Sequence, residues 1–366
     1  MSKLAVVMAK KKSKKQQKPS KAAIIIIVLL VIAAVIYLYA VPREKWPEPV
    51  RAEVERVEGE WGVKIGKQAE ATVAAGEAAG AVTAVQPEPE TPKATGAPKQ
   101  KVPNPRWLEL PAGGNDGLTH WATMGGRRQR NYTMLYDPSV YASYWVAYPL
   151  CAAHLGSGRT ETWAYDPDVA LDKQTKVSSG SYGVNFTGVE YASNYYARGH
   201  QIPNADRNGN DEMMAQTYYS TNMTPQIQNG FNGGIWAKLE AGVRGMVPVG
   251  DTLYIVTGAA FRKAGGSEKV SQIVSTRDGK TLPVPNYYWK AVLKVKRNAA
   301  GAITDAQTIG FWLPHKEFKK TLYFDFAVSV DQIEAWTGYD MFPGLPDSIE
   351  NVCEKNTSLS AFEAWK

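Results

Sequence analysis

YYARGHQIPNADR, residues 195–207, sets a histidine, two arginines and a glycine in one short polar stretch. Gly199 just before His200 lets backbone or a ligand approach closely. The Arg198 guanidinium can hold an oxyanion through two parallel hydrogen bonds. A neutral imidazole can take a proton from water near pH 7. A lone histidine beside an arginine is more often structural, so this loop-like stretch alone names no chemistry. NGFNGGIWAKLEAGVRG, residues 229–245, adds a second group. Asn232, Trp236, Glu240 and Arg244 recur every four residues, which on a helix puts them on one broad face. Ile235, Leu239 and Val243 form the neighbouring apolar face. An amide oxygen and a carboxylate suit a hard cation such as Mg²⁺, which keeps several of its waters. The competing reading is a solvated helix with a Glu–Arg pair that contributes only ~0.3–0.5 kcal/mol.

Outward from these stretches the chain is rich in strand signals. Residues 144–148 (YWVAY), 252–257 (TLYIVT), 287–295 (YYWKAVLKV) and 308–312 (TIGFW) are dominated by β-branched and aromatic residues. Helix signals are fewer. One covers residues 233–243, ending at Gly245. Another covers 330–337, opened by Ser329 with Gln332 three residues on and closed by Gly338, the pattern of a capped helix. Strands outnumber helices without regular alternation, which predicts an α+β fold rather than a doubly wound sheet.

The chain has 366 residues, 44% hydrophobic and 21% charged, enough to pack a core. Its net charge of +7 is smaller than the eight lysines of residues 1–21, so the basic excess belongs to the tail. A nucleic-acid site elsewhere must be a local patch. Residues 22–40, AAIIIIVLLVIAAVIYLYA, carry no charge and as a helix would be about 28 Å long, near the ~30 Å of a hydrocarbon core. This predicts a single-pass anchor with a cytoplasmic N-terminus and an extracytoplasmic body; a cleaved signal peptide is the alternative. Residues 41–105 read as a flexible linker, since the stretch 86–105 is nearly devoid of large apolar side chains. The globular part is then 106–366. Cys151 and Cys353 can pair in an oxidising compartment or stand as two separate thiols.

ARGHQIP (197–203), TNMTPQ (221–226) and FNGGIWAKLE (231–240) together resemble the DNA/RNA non-specific endonucleases of the ββα-metal superfamily. YIVTGAAF (254–261), VPNYYWKAVL (284–293) and SVDQIEAWTG with FPGLPDSIE (329–350) extend the likeness over about residues 140–352. The resemblance implies a central, mainly antiparallel sheet flanked by helices, and hydrolysis of phosphodiester bonds in DNA and RNA with little sequence preference. It also implies roles. His200 matches the general base, Asn232 the protein ligand of a single Mg²⁺ (Mn²⁺ being the alternative), and Glu240 the carboxylate holding metal-bound waters. Arg198, Arg244 and, at looser spacing in GSGRTETW, Arg159 match arginines around the phosphate.

One position departs from the family, which usually has Asp where this chain has Ala197. That loss leaves open a rival from another class, a nucleic-acid-binding surface protein that keeps the fold without catalysis. Arg127, Arg128 and Arg130 can bind backbone phosphates or form a solvated loop. His120, His154 and His315 have no partner legible in the sequence.

Overall fold

The computed structural model describes residues 47, 48, 50, 51, 107–176, 194–270, 272–276 and 278–365. The chain divides into two compact units, Met1–Val85 and Gln86–Lys366. In the first, the amides of Val50 and Arg51 both donate to the Pro47 carbonyl, closing one helical turn. The stretches expected as basic tail (1–21) and anchor (22–40), and nearly all of the linker (41–105), lie outside the described residues. The single-pass membrane placement is corrected: among the described residues no helix is long and apolar enough to cross a membrane.

The second unit is built on a sheet of seven strands, every neighbouring pair antiparallel. In chain order the strands are β1 (Leu118–Met124), β2 (Arg127–Asp137), β3 (Ala142–Cys151), β4 (Tyr196–His200), β5 (Met223–Ile227), β6 (Thr252–Ala260), β7 (Ile273–Ser275), β8 (Thr281–Pro283), β9 (Tyr287–Arg297), β10 (Ile303–Pro314) and β11 (Ala327–Val328). The large sheet runs β1-β2-β3-β6-β9-β10-β11, while β4–β5 and β7–β8 form separate two-stranded pairs. The helices are α1 (Asp211–Gln216), α2 (Ala237–Gly245), α3 (Val330–Thr337), α4 (Asp347–Cys353) and α5 (Leu359–Ala364).

Both faces of the sheet are buried, which explains why its central strands read as nearly continuous apolar runs. Successive side chains of a strand point to opposite faces. On β9, Tyr288 and Val292 join the cluster that includes Leu239 and Val243 of α2. Trp289, Ala291, Leu293 and Val295 join the opposite cluster with Val330 and Ile333 of α3. The sheet is thus the middle of three layers. Lys290 lies on the α2 side of β9 and is buried. The four strands expected from sequence lie within β3, β6, β9 and β10. The helix at 330–337 has the expected bounds and caps: Ser329 Oγ accepts from the Gln332 amide at 3.0 Å, and Gly338 ends it at φ 79°. The fold is α+β, as expected. The arms β4 and β5 followed by α2 make a β-β-α unit laid on the first face.

Two expectations change in detail. His200 is the last residue of a strand, not part of a loop. The helix expected from residue 233 begins at Ala237. Before it, Gln228–Trp236 coils irregularly, with Gly230 at φ 79° and Gly234 at φ −127°, ψ −110°. Cys151 and Cys353 are free thiols.

Candidate active site

On the β4–β5 hairpin, Ala197 faces Gln226, Gly199 faces Thr224 and His200 faces Met223. Strand alternation puts Arg198 and His200 on one side and Ala197 and Gly199 on the other. The Gln226 side chain lies over Gly199: a Cβ there would come within 2.2 Å of its amide carbon. This is the physical need for glycine before the histidine. Both amide atoms of Gln226 are buried and lack a hydrogen-bond partner among the described residues. The carboxylate missing at position 197 is therefore lost from the Gln226 side of the strand, not from the His200 side.

On the His200 side, Trp163 and Tyr218 form an aromatic corner. The imidazole is 5.5 Å from the Trp163 ring and 5.2 Å, edge-on, from the Tyr218 ring. The Arg198 guanidinium lies 3.5 Å over Trp163, and that of Arg159 is 5.7 Å from the Tyr218 ring. Arg159 also makes a loose, exposed contact of 3.7 Å with Glu161. Burial, then the positive charges of Arg159 and Arg198, push the His200 pKa down to about 3. The ring is neutral at neutral pH. Its Nε2, the Trp163 Nε1 and the Tyr218 hydroxyl are all sealed from solvent without a hydrogen-bond partner among the described residues. Three orphaned polar atoms around one corner mark a place where a polar guest would satisfy a real deficit.

A second group sits on and around α2. Arg244 Nη1 bonds Asp206 Oδ1 at 2.8 Å, and the Tyr148 hydroxyl donates to Asp206 Oδ2 at 2.8 Å. Asp206 follows His200 by six residues, so it ties the segment after β4 to the end of α2. Burial drives the Glu240 carboxyl upward; Lys290 and Arg244 pull it back toward the charged form, while Asp206 opposes them. Lys290 donates to Thr257 Oγ1 at 2.9 Å and lies 4.7 Å from the Trp236 ring.

Asn232 lies on the irregular coil between the two groups. Its Nδ2 donates to Gln228 Oε1 at 2.8 Å, which leaves the amide oxygen as its ligand atom. That coil is pinned to the approach to β4: Gln228 N donates to Tyr195 O at 2.9 Å, Asn229 N to Asn194 Oδ1 at 2.8 Å, and Asn194 Nδ2 to Asn229 O at 2.9 Å. The even face expected for Asn232, Trp236, Glu240 and Arg244 is not continuous. The backbone breaks at Gly234, and Trp236 is core, stacked on Phe231 at 5.9 Å.

Trp163, Tyr218, Asp206, Gln226 and Lys290 were not singled out by sequence reasoning. Lys290 left a signal, a charge inside an apolar strand run; the aromatic pair, 55 residues apart in sequence, left none. The other histidines each have a partner within the fold. His120 Nε2 pairs with Asp166 at 2.8 Å, His154 Nδ1 accepts from the Cys151 amide at 3.2 Å, and His315 bridges Ile227 N and Pro285 O. Arg130 is buried and pairs with Glu109, so it belongs to no exposed phosphate patch.

The β-β-α unit thus carries a neutral histidine with two arginines near it, and a helix with a carboxylate and a guanidinium, groups suited to a charged phosphate. Residues 118–348 match the family described as DNA/RNA non-specific endonuclease. The chain belongs to that family and is a nuclease. It is 30% identical over 221 residues to a nuclease of Serratia marcescens, covering 60% of this chain and 75% of that one. It is 30% identical over 229 residues to a nuclease of a Nostoc species, covering 62% and 76%. A mitochondrial nuclease of Saccharomyces cerevisiae is 31% identical over 175 residues, covering 46% of this chain and 53% of that one. A solved structure, "Crystal structure of the EndoG/EndoGI complex: Mechanism of EndoG inhibition", aligns at TM-score 0.44 and 20% identity, over 64% of this chain and 89% of that one.

Proposed function

We propose that residues 106–366 form a metal-dependent endonuclease that hydrolyses phosphodiester bonds in DNA and RNA with little sequence preference. The observation that carries the proposal is His200: a neutral, sealed imidazole whose Nε2 has no hydrogen-bond partner among the described residues, flanked by Arg159 and Arg198. Those guanidiniums are suited to the charged phosphate. Burial is the larger cause of the low His200 pKa; a phosphodiester anion between the guanidiniums would cancel the smaller, repulsive part and raise the base as substrate binds. His200 Nε2 then takes the proton of the attacking water. Asn232 and Glu240 offer hard oxygen donors that fit Mg²⁺, with Mn²⁺ as an alternative. The chemistry such a cation supplies is neutralisation of charge at the phosphate and support of the leaving oxygen. Burial pushes the Glu240 carboxyl up to about 7, Lys290 and Arg244 offset only part of that rise, and Asp206 anchors Arg244.

One feature favours a second reading. Beside Ala197 the buried Gln226 amide has no hydrogen-bond partner among the described residues, and the absent carboxylate fits a protein that binds nucleic acid without cutting it. Cleavage of plasmid and of RNA with Mg²⁺, stopped by a chelator, supports the enzyme. Tight binding without metal-stimulated cleavage supports the binding protein.

A further inference from the structure

On the sheet face opposite the catalytic hairpin, Asp331, Glu334 and Glu354 bring one carboxylate oxygen each within 4.8 Å of one another. Asp331 and Glu334 come from the first turns of α3. Glu354 is the residue that caps the C-terminus of α4. The two ends are tied together by backbone: the amides of Val330 and Asp331 donate to the Glu354 carbonyl at 2.9 and 3.2 Å. The Met341 amide donates to Glu334 Oε1 at 2.6 Å, which fixes that side chain.

Three carboxylates held this close repel unless something positive or a proton lies among them. Glu354 is 3% exposed, and its Oε1 is sealed without a hydrogen-bond partner among the described residues. Asp331 and Glu334 are only half-buried, so the group is reachable from solvent. The C-terminal end of α4 adds partial negative charge from its last carbonyls, and no basic residue lies in its last turn. Burial, then the nearby carboxylates of Glu334, Glu350, Asp331 and Asp340, drive the Glu354 carboxyl far above the ordinary carboxylate range.

We infer that Asp331, Glu334 and Glu354 form a second cation site, separate from the catalytic one, that takes a hard divalent ion of the Ca²⁺ class and locks α3 to the end of α4. Ca²⁺ accepts six to eight oxygen ligands in flexible geometry, whereas Mg²⁺ prefers to keep its waters and use one or two carboxylates. Three protein carboxylates therefore favour Ca²⁺.

The test uses the full chain carrying Asn232→Ala, which removes the proposed catalytic metal ligand as a responder. Millimolar CaCl₂ should raise the melting temperature by several degrees, and Mg²⁺ should raise it less. Bound Tb³⁺ should emit on tryptophan excitation and be displaced by Ca²⁺. In the Asp331→Asn/Glu354→Gln double variant the metal-free melting temperature should rise, because repulsion is relieved, while the Ca²⁺ shift and the Ca²⁺-displaceable emission disappear. Far-UV circular dichroism and a cooperative melt of the double variant report that its fold is intact. No Ca²⁺ response in the parent, or the same response in the double variant, overturns the site.

Discussion

His315 fastens the catalytic hairpin to the sheet, and its titration should be visible as a stability change. Its Nε2 accepts from the Ile227 amide at 2.8 Å and its Nδ1 donates to the Pro285 carbonyl at 2.9 Å. Ile227 ends β5, directly before the coil that carries Asn232. The ring packs 4.7 Å from Phe231 and 5.0 Å from Tyr288. Protonating Nε2 would set two N–H groups against each other, and burial already pushes the pKa from 6.5 to about 3. A histidine depressed in the folded state binds its proton only on unfolding. Its contribution is complete above pH 6.5 and is lost as pH falls from 6.5 toward 3. Each unit is worth about 1.4 kcal/mol, so about 2 kcal/mol has gone by pH 5. His315→Gln keeps an acceptor but has nothing to titrate. The variant should be less stable than wild type at pH 7.5, and the gap should shrink by about 2 kcal/mol at pH 5. Urea unfolding followed by fluorescence and far-UV circular dichroism reads both values, with the slope checked for constancy. Comparing the two proteins at each pH cancels His154 and His200, both also pushed to about 3, and Glu240, which shifts the opposite way. A gap of the same size at both pH values would refute the bridging role of the neutral ring.

Two further substitutions probe the framework of the site. Arg244→Ala leaves the buried Asp206 carboxylate with the Tyr148 hydroxyl as its remaining side-chain partner among the described residues; breaking such a pair costs about 3–5 kcal/mol, read as a fall in the urea midpoint, and nuclease activity should fall with it. Gly199→Ala drives a methyl into the Gln226 side chain; it should cost about 1–3 kcal/mol as over-packing and depress cleavage although His200 is intact, measured by unfolding and plasmid nicking side by side.

The strands β3, β6, β9 and β10 were legible because each is buried on both faces and so carries an unbroken apolar, β-branched run. β1 and β2 were not. LTHWATM mixes polar residues, and β2 opens with three exposed residues, Arg127 to Gln129, at the sheet edge. β4 looked like a loop because YARGH holds a glycine and an arginine; its strand character comes from pairing with MTPQI, which contains a proline. The helix at 330–337 announced both ends because its caps are local chemistry. The helix at 237–245 misled at its start, since the four-residue spacing runs through Gly230 and Gly234, where the backbone departs from helix. His200, Arg198 and Arg159 could be picked out by residue type. Their setting could not: Trp163 and Tyr218 close on His200 only in three dimensions, and Lys290 reaches the Glu240 environment from a strand 50 residues away.

The central claim is that His200 is the base of a metal-dependent phosphodiester hydrolysis. Initial rates of supercoiled plasmid and RNA cleavage, for wild type and His200→Ala with Mg²⁺ and with chelator, test it most directly. Chelation should stop the wild type, and His200→Ala should lose about 10²–10⁴ in rate with an unchanged far-UV spectrum. Equal Mg²⁺-dependent rates for the two proteins would contradict it.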